Sequence, residues 1–174
     1  IHGIGTVTQD TPRLAWIAAI RQPDLALAWD LERWQQVIRE ARNLRLAARL
    51  AEALDAEGLM PKVPSEPGRL LLAEQRRSRQ RTLVTTWAAR RIAATLVTAS
   101  YSCVLLKGAA YLAQDLPIAQ GRLPSDLDIL VPRASIPQAQ ALLRQAGWEE
   151  QPLEEHDRNY YYEWSHEVPP MRHE

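Results

Sequence analysis

A glycine turn, followed eighteen positions later by two aspartates at i and i+2, constrains this chain more than any other feature in it. The first segment reads Val104-Leu105-Leu106-Lys107-Gly108-Ala109, and the second reads Ser125-Asp126-Leu127-Asp128-Ile129-Leu130-Val131. Side chains alternate faces along a strand, so a strand here would project Asp126 and Asp128 from the same side. Two carboxylates so close repel each other. A hard divalent cation between them removes the repulsion, because such ions take oxygen ligands. In the first segment an apolar run ends at Lys107-Gly108, and helix-prone residues follow from Ala109 to Ala113. A helix that begins at a glycine turn presents free backbone N–H groups, which suit a phosphate. The expectation is a metal site beside a phosphate site.

The run Leu105-Leu106-Lys107-Gly108-Ala109-Ala110, a short helix, and then Gly121-Arg122-Leu123-Pro124-Ser125-Asp126-Leu127-Asp128-Ile129-Leu130-Val131 resembles the uncharacterised nucleotidyltransferase family of the DNA polymerase beta superfamily. The helical region around Trp34 and the Gln138-to-Gly147 helix that ends in Gly147-Trp148 share the resemblance, which therefore covers most of the chain. A glycine turn, a helix and an Asp-x-Asp strand in that order are rarely assembled by chance. There are two departures. The superfamily usually has Gly-Gly or Gly-Ser where this chain has Gly108-Ala109, and the interval from Gly108 to Asp126 is longer than in typical members.

The resemblance implies transfer of an NMP group from an NTP to a hydroxyl acceptor, with release of pyrophosphate and dependence on Mg²⁺ or Mn²⁺. It makes Asp126 and Asp128 the catalytic metal ligands, and Lys107, Gly108, Ala109 and Arg122 the nucleotide-binding residues. The family has an arginine where this chain has Arg122; the plainer reading is a salt bridge from Arg122 to Asp126 or Asp115. A third carboxylate usually follows on a later strand, and here the sequence stops first. Either the chain is truncated before it, or Glu163, Glu167 or Glu174 substitutes, or the site is incomplete. The competing function is a non-catalytic module of the same fold that acts through a protein partner.

Composition narrows the partners. There are 21 basic and 21 acidic side chains and a formal net charge of zero, so charge does not indicate nucleic acid, although a local basic patch stays compatible with it. Lys62 and Lys107 are the only lysines among many arginines. Lys107 is therefore either drift at an exposed site or a compact ammonium beside phosphate. Cys103 is the only cysteine, which rules out an intramolecular disulfide and reads as a small core residue. No apolar run is long enough to span a bilayer and no signal sequence opens the chain, so the expected location is cytoplasmic, away from membranes.

In chain order, Thr11-Pro12 opens a short helix with Leu14, Ile17 and Ala18 inward. A longer helix starts at Asp30, with Leu31, Trp34, Ile38, Ala41, Leu44, Ala48, Ala51 and Leu54 as one stripe and Gly58 capping its end. Pro61, Pro64 and Pro67 read as a linker. From about Leu70 to Ser100 a long helix carries the basic cluster Arg76, Arg77, Arg79 and Arg81, read as a solvated face, and then an apolar stripe of Val84, Trp87, Ala88, Ile92, Leu96 and Ala99. Pro117, Gly121 and Pro124 mark an irregular crossover. Ser135 caps a helix that buries Ala139, Leu142 and Leu143, and Tyr160-Tyr161-Tyr162-Glu163-Trp164 reads as a strand. His166 and His173 near acids do not make a zinc helix, because Pro170 forbids one; the ending is expected to hold no closing strand. The fold class is α/β in the broad α+β sense. A helical region over residues 1–66 precedes a nucleotidyltransferase-like domain over 67–174, a small mixed sheet flanked by helices and truncated at its C-terminal end.

Overall fold

The computed structural model describes residues 12–152, 154 and 167–173, with side chains from Ala15 onward. Its contacts cluster into two units. One runs through Trp87 and takes in Leu106–Asp128; the other is Ala88–Leu105 with the residues from Ile129 onward.

The first unit is helical. Helix α1 (Pro12–Arg21) and a 3-10 turn (Pro23–Ala28) pack on α2 (Leu31–Asn43) and α3 (Ala47–Ala56). Thr11 and the Leu14 side chain lie outside the described residues. The inward residues of α1 are Ala15 and Ala19 rather than Ile17 and Ala18, and Ile17 is 40% exposed. Alanines on the buried stripe let helix backbones approach closely, which the larger isoleucine would prevent.

One long helix from Asp30 was the expectation, and two helices are found. Asp30 does cap the first, its carboxylate accepting from Arg33 N at 2.8 Å. The chain then breaks at Leu44–Leu46, where Leu46 N donates to Ala41 O at 2.6 Å and Arg45 adopts φ 58°. That is a helix-ending turn whose left-handed position is normally glycine. An L-residue there costs about 1–2 kcal/mol, which the packing gained by folding α3 back offsets. The gain is visible: Trp34, Val37 and Ile38 of α2 share one core with Leu50, Ala51 and Leu54 of α3. Trp34 also meets Trp29 edge to face at 4.9 Å. Leu31 and Leu44, expected on the stripe, are exposed. Gly58 ends α3 with φ 65°, as its place after the stripe implied.

Of the prolines read as a linker, Pro61 and Pro64 do lie between α3 and the next helix, whereas Pro67 falls inside that helix. Helix α4 (Ser65–Thr98) has Pro67 in its first turn, and Gly68 N already donates to Pro64 O. A helix leaves its first N–H groups without partners, so proline is tolerated there. Four of the residues on the buried face of α4 in this unit are Leu71, Glu74, Gln75 and Ser78, spaced as one helical stripe but mostly polar. Further along, Thr85, Ala89, Ile92 and Leu96 are buried. Val84 and Trp87, read as part of the apolar stripe, are 47% and 48% exposed.

In the second unit, β1 (Val104–Leu105) pairs antiparallel with β2 (Ile129–Leu130). Helix α6 (Ile136–Gln145) buries Ala139 and Leu143, with Leu142 half-buried; Ser135 precedes it without a side-chain cap hydrogen bond. Strand β3 (Trp148–Glu150) pairs antiparallel with β4 (Met171–His173). The ending therefore does carry a closing strand: Gln151 N donates to Pro170 O at 2.9 Å, and Trp148 meets His173 edge to face at 5.3 Å. A proline beside a two-strand ladder is permitted where its missing N–H faces away from the partner. Glu150 ties β3 to α6 through Gln140 and Arg144. Cys103 is half-buried rather than core. The strand expected at Tyr160–Trp164 and His166 lie outside the described residues. Helices with short antiparallel ladders make the class α/β, as expected.

Candidate functional site

The candidate residues all fall between Leu106 and Asp128, inside the first unit. Leu106 N donates to Asp128 O at 2.9 Å, which brings the glycine turn and the second aspartate side by side. Helix α5 (Lys107–Ala113) follows at once. Lys107 takes φ 48°, a conformation an L-residue keeps only where its surroundings impose it. From there its Nζ reaches Asp128 Oδ2 at 2.8 Å. The lysine side chain is 67% exposed and the aspartate 33%, so the pair adds little stability; its consequence is position.

Gly108 and Ala109 are buried. Arg122 lies against the turn: a Cβ on Gly108 would meet Arg122 Nε at 3.4 Å and Pro124 Cβ at 3.8 Å, ordinary contact distances. The Arg122 guanidinium also sits 5.5 Å above the Tyr111 ring of α5, a cation–π distance. Among the described residues it forms no ion pair with Asp115 or Asp126, so the plainer reading of this arginine does not hold.

The backbone under Arg122 is held from two helices. Ser78 Oγ of α4 donates to Arg122 O at 2.8 Å. Arg49 of α3 donates from one guanidinium nitrogen to Pro117 O at 2.6 Å and Gln120 O at 3.0 Å, clamping the 3-10 turn Pro117–Ala119. Gly121 closes that crossover with φ 67°, and a Cβ there would fall 2.6 Å from Arg49 N and Cα. Arg49 and Ser78 were not legible as site-positioning residues. One lies in an apolar helical stripe, the other among surface arginines, and neither pattern announces a carbonyl acceptor forty or more residues away. Gly121 was visible only as a turn marker.

The aspartates do not sit in a strand as expected. Residues 122–128 are irregular, and the ladder begins at Ile129. A strand needs a ladder of paired neighbours, and the Leu106 N to Asp128 O bond gives this stretch a single rung at its end. Asp126 is exposed, and Ser125 Oγ donates to its Oδ1 at 3.1 Å. Two carboxylates two residues apart with a hydroxyl beside them are the hard oxygen donors that Mg²⁺ takes, and Mg²⁺ is commonly held by one or two carboxylates plus substrate phosphates. The Lys107 ammonium against Asp128 is already a cation at one of these carboxylates. The donor set fits. Among the described residues no group of three or more His, Cys, Asp or Glu side chains converges on one point, so the third acid is not found there.

The model of the uncharacterised nucleotidyltransferase family matches residues 30–172, and the chain belongs to that family. The class of protein is thus a nucleotidyltransferase. No curated protein and no solved structure matches the chain. No helix among the described residues is long and apolar enough to cross a membrane.

Proposed function

We propose that this chain transfers a nucleotidyl group from an NTP to a hydroxyl acceptor. The acceptor oxygen forms a bond to the α-phosphorus while the bond to the β-phosphate bridging oxygen breaks; pyrophosphate leaves and the acceptor proton passes to solvent or base. The observation that carries the reading is the convergence of Lys107, Gly108, Arg122 and Asp128 on one turn, beside Asp126. Asp126 and Asp128 would hold Mg²⁺ or Mn²⁺, which would supply positive charge to the attacking and leaving oxygens. Lys107 and Arg122 neutralise the β- and γ-phosphates, and the Gly108 and Ala109 amides receive them. Lys107 leaves Asp128 for phosphate when the nucleotide enters, and Arg122 lifts from the Gly108 turn to expose those amides. Reactions of this type depend mostly on positioning and electrostatics, which is what the Ser78 and Arg49 clamps supply. An NTP-consuming reaction belongs where NTPs are held, so we assign the chain to the cytoplasm.

A second reading is a non-catalytic module of the same fold acting through a protein partner; among the described residues no third acid joins Asp126 and Asp128, and Glu163 and Glu174 lie outside them. Calorimetric titration with ATP, GTP, CTP and UTP, with and without Mg²⁺, tests the first reading. Metal-dependent binding that disappears in Asp126→Asn/Asp128→Asn is the expected outcome. Absence of binding to all four nucleotides would sink it. Binding without turnover on any hydroxyl acceptor would favour the module.

A further inference from the structure

The first unit holds a cleft of about 680 Å³ apart from the turn described above, lined by residues of α2, of the start of α4 and of the 123–125 stretch. Five arginines line it, namely Arg39, Arg42, Arg45, Arg77 and Arg81, against the two acids Glu66 and Glu74. In a chain of zero formal charge this is a local excess of positive charge, and its arrangement is built rather than incidental. Glu74 is 8% exposed; its carboxylate receives Arg42 at 2.8 Å and lies 4.0 Å from Arg77. One buried acid thus orients a guanidinium from each of two helices. Arg39, Arg45 and Arg81 form no ion pair among the described residues and keep their donors for a ligand. Guanidinium groups match phosphate with paired, planar donors.

The cleft meets the candidate site along one wall. Pro124 and Ser125 line it, and Ser125 Oγ bonds Asp126. Lys107, Gly108, Ala109 and Asp128, the residues assigned to the nucleotide and the metal, do not line it. Asp126 and Arg122 do not line it either, but Ser125 does, so a molecule in the cleft lies one residue from Asp126. The volume suits a small molecule. No aromatic side chain lines the cleft, so it lacks the stacking surface that single-stranded nucleic acid uses.

We propose that this cleft is the acceptor site and that the acceptor is a small phosphorylated hydroxyl compound, its phosphate held by Arg39, Arg45 and Arg81 with Arg42 and Arg77. The proposal rests on the nucleotidyl-transfer reading for the word acceptor, and on the cleft alone for the anion. Calorimetry on the full chain, without Mg²⁺ so that the metal site is silent, uses inorganic pyrophosphate as probe. Pyrophosphate binding should weaken at least tenfold in Arg39→Gln/Arg81→Gln and stay unchanged in Asp126→Asn/Asp128→Asn. Both arginines are exposed and form no ion pair among the described residues, so the variant should fold; Arg45→Gln is the second, independent variant. Mg²⁺-ATP binding should show the opposite dependence. Pyrophosphate binding indifferent to all three arginines would overturn the proposal, as would loss in the aspartate variant. An oligothymidylate that binds more than tenfold tighter than pyrophosphate would overturn the small-molecule assignment. Arginine-dependent pyrophosphate binding with no Mg²⁺-ATP binding would support the cleft and sink the transfer reading alone.

Discussion

The first unit is held together in two different ways. Around Trp34 the contacts are apolar: α1, α2 and α3 bury alanines, Val37, Ile38, Leu50 and Leu54, with no polar side chain in the cluster. Along the first half of α4, past Leu71, the buried face turns polar with Glu74, Gln75 and Ser78, and each of these side chains has a specific partner: Arg42, Asp55 and the Arg122 carbonyl. Nearby, Arg79 bridges Glu52 and Asp55, and the hydrogen bond and charge of Glu52, then those of Asp55, hold its guanidinium above the ordinary arginine range. Apolar burial is non-directional and tolerates sliding, whereas a buried hydrogen bond has one geometry. The apolar side supplies stability; the polar seam fixes where the 117–125 crossover lies, and with it Arg122 and the acids that follow.

That contrast can be broken from either side. The largest effect should come from Trp34→Ala, which empties a fully buried aromatic site and should cost about 4 kcal/mol in urea unfolding, with the nucleotide affinity of the folded fraction little changed. Gly121→Ala should come next, at about 3 kcal/mol, because a left-handed backbone and a 2.6 Å approach to the Arg49 backbone leave no room to adjust. Unlike Trp34→Ala, it should also lower Mg²⁺-nucleotide affinity, since the crossover it strains carries Arg122. The smallest loss of stability is expected from Ser78→Ala, about 1 kcal/mol for one hydrogen bond, and yet it should weaken nucleotide binding measurably. If Trp34→Ala and Ser78→Ala lowered affinity in proportion to their stability losses, the division of roles would be wrong.

Much of the frame was legible before any coordinates. Asp30 caps α2, Gly58 ends α3, and Gly147 precedes β3 as the local pattern required. The Lys107-Gly108 turn does open a helix, and Asp128 does lie beside it. The misses share a cause. The break at Leu44–Leu46 was hidden because apolar spacing runs straight through it and an arginine does a glycine's work. Pro67 looked like part of the linker because propensity alone does not tell a first turn from an interruption. Arg76, Arg77, Arg79 and Arg81 are exposed as read, but the buried polar face of α4 beside them went unread because no apolar spacing marks it, and β4 was missed because its partner, β3, precedes it by some twenty residues.

The sequence by itself determined which residues could do chemistry and which local turns they occupy, because helix caps, glycine turns and an Asp-x-Asp spacing act over a few residues. Only the tertiary structure decided that Arg122 would rest on Gly108 and Tyr111 rather than on an acid, and that Arg49 and Ser78 would hold its backbone. It likewise decided that four arginines from two helices and Arg45 from the break after α2 would share one cleft. Those arrangements depend on hydrogen bonds and charges between residues far apart in the chain, whose geometry exists only once the apolar core has closed.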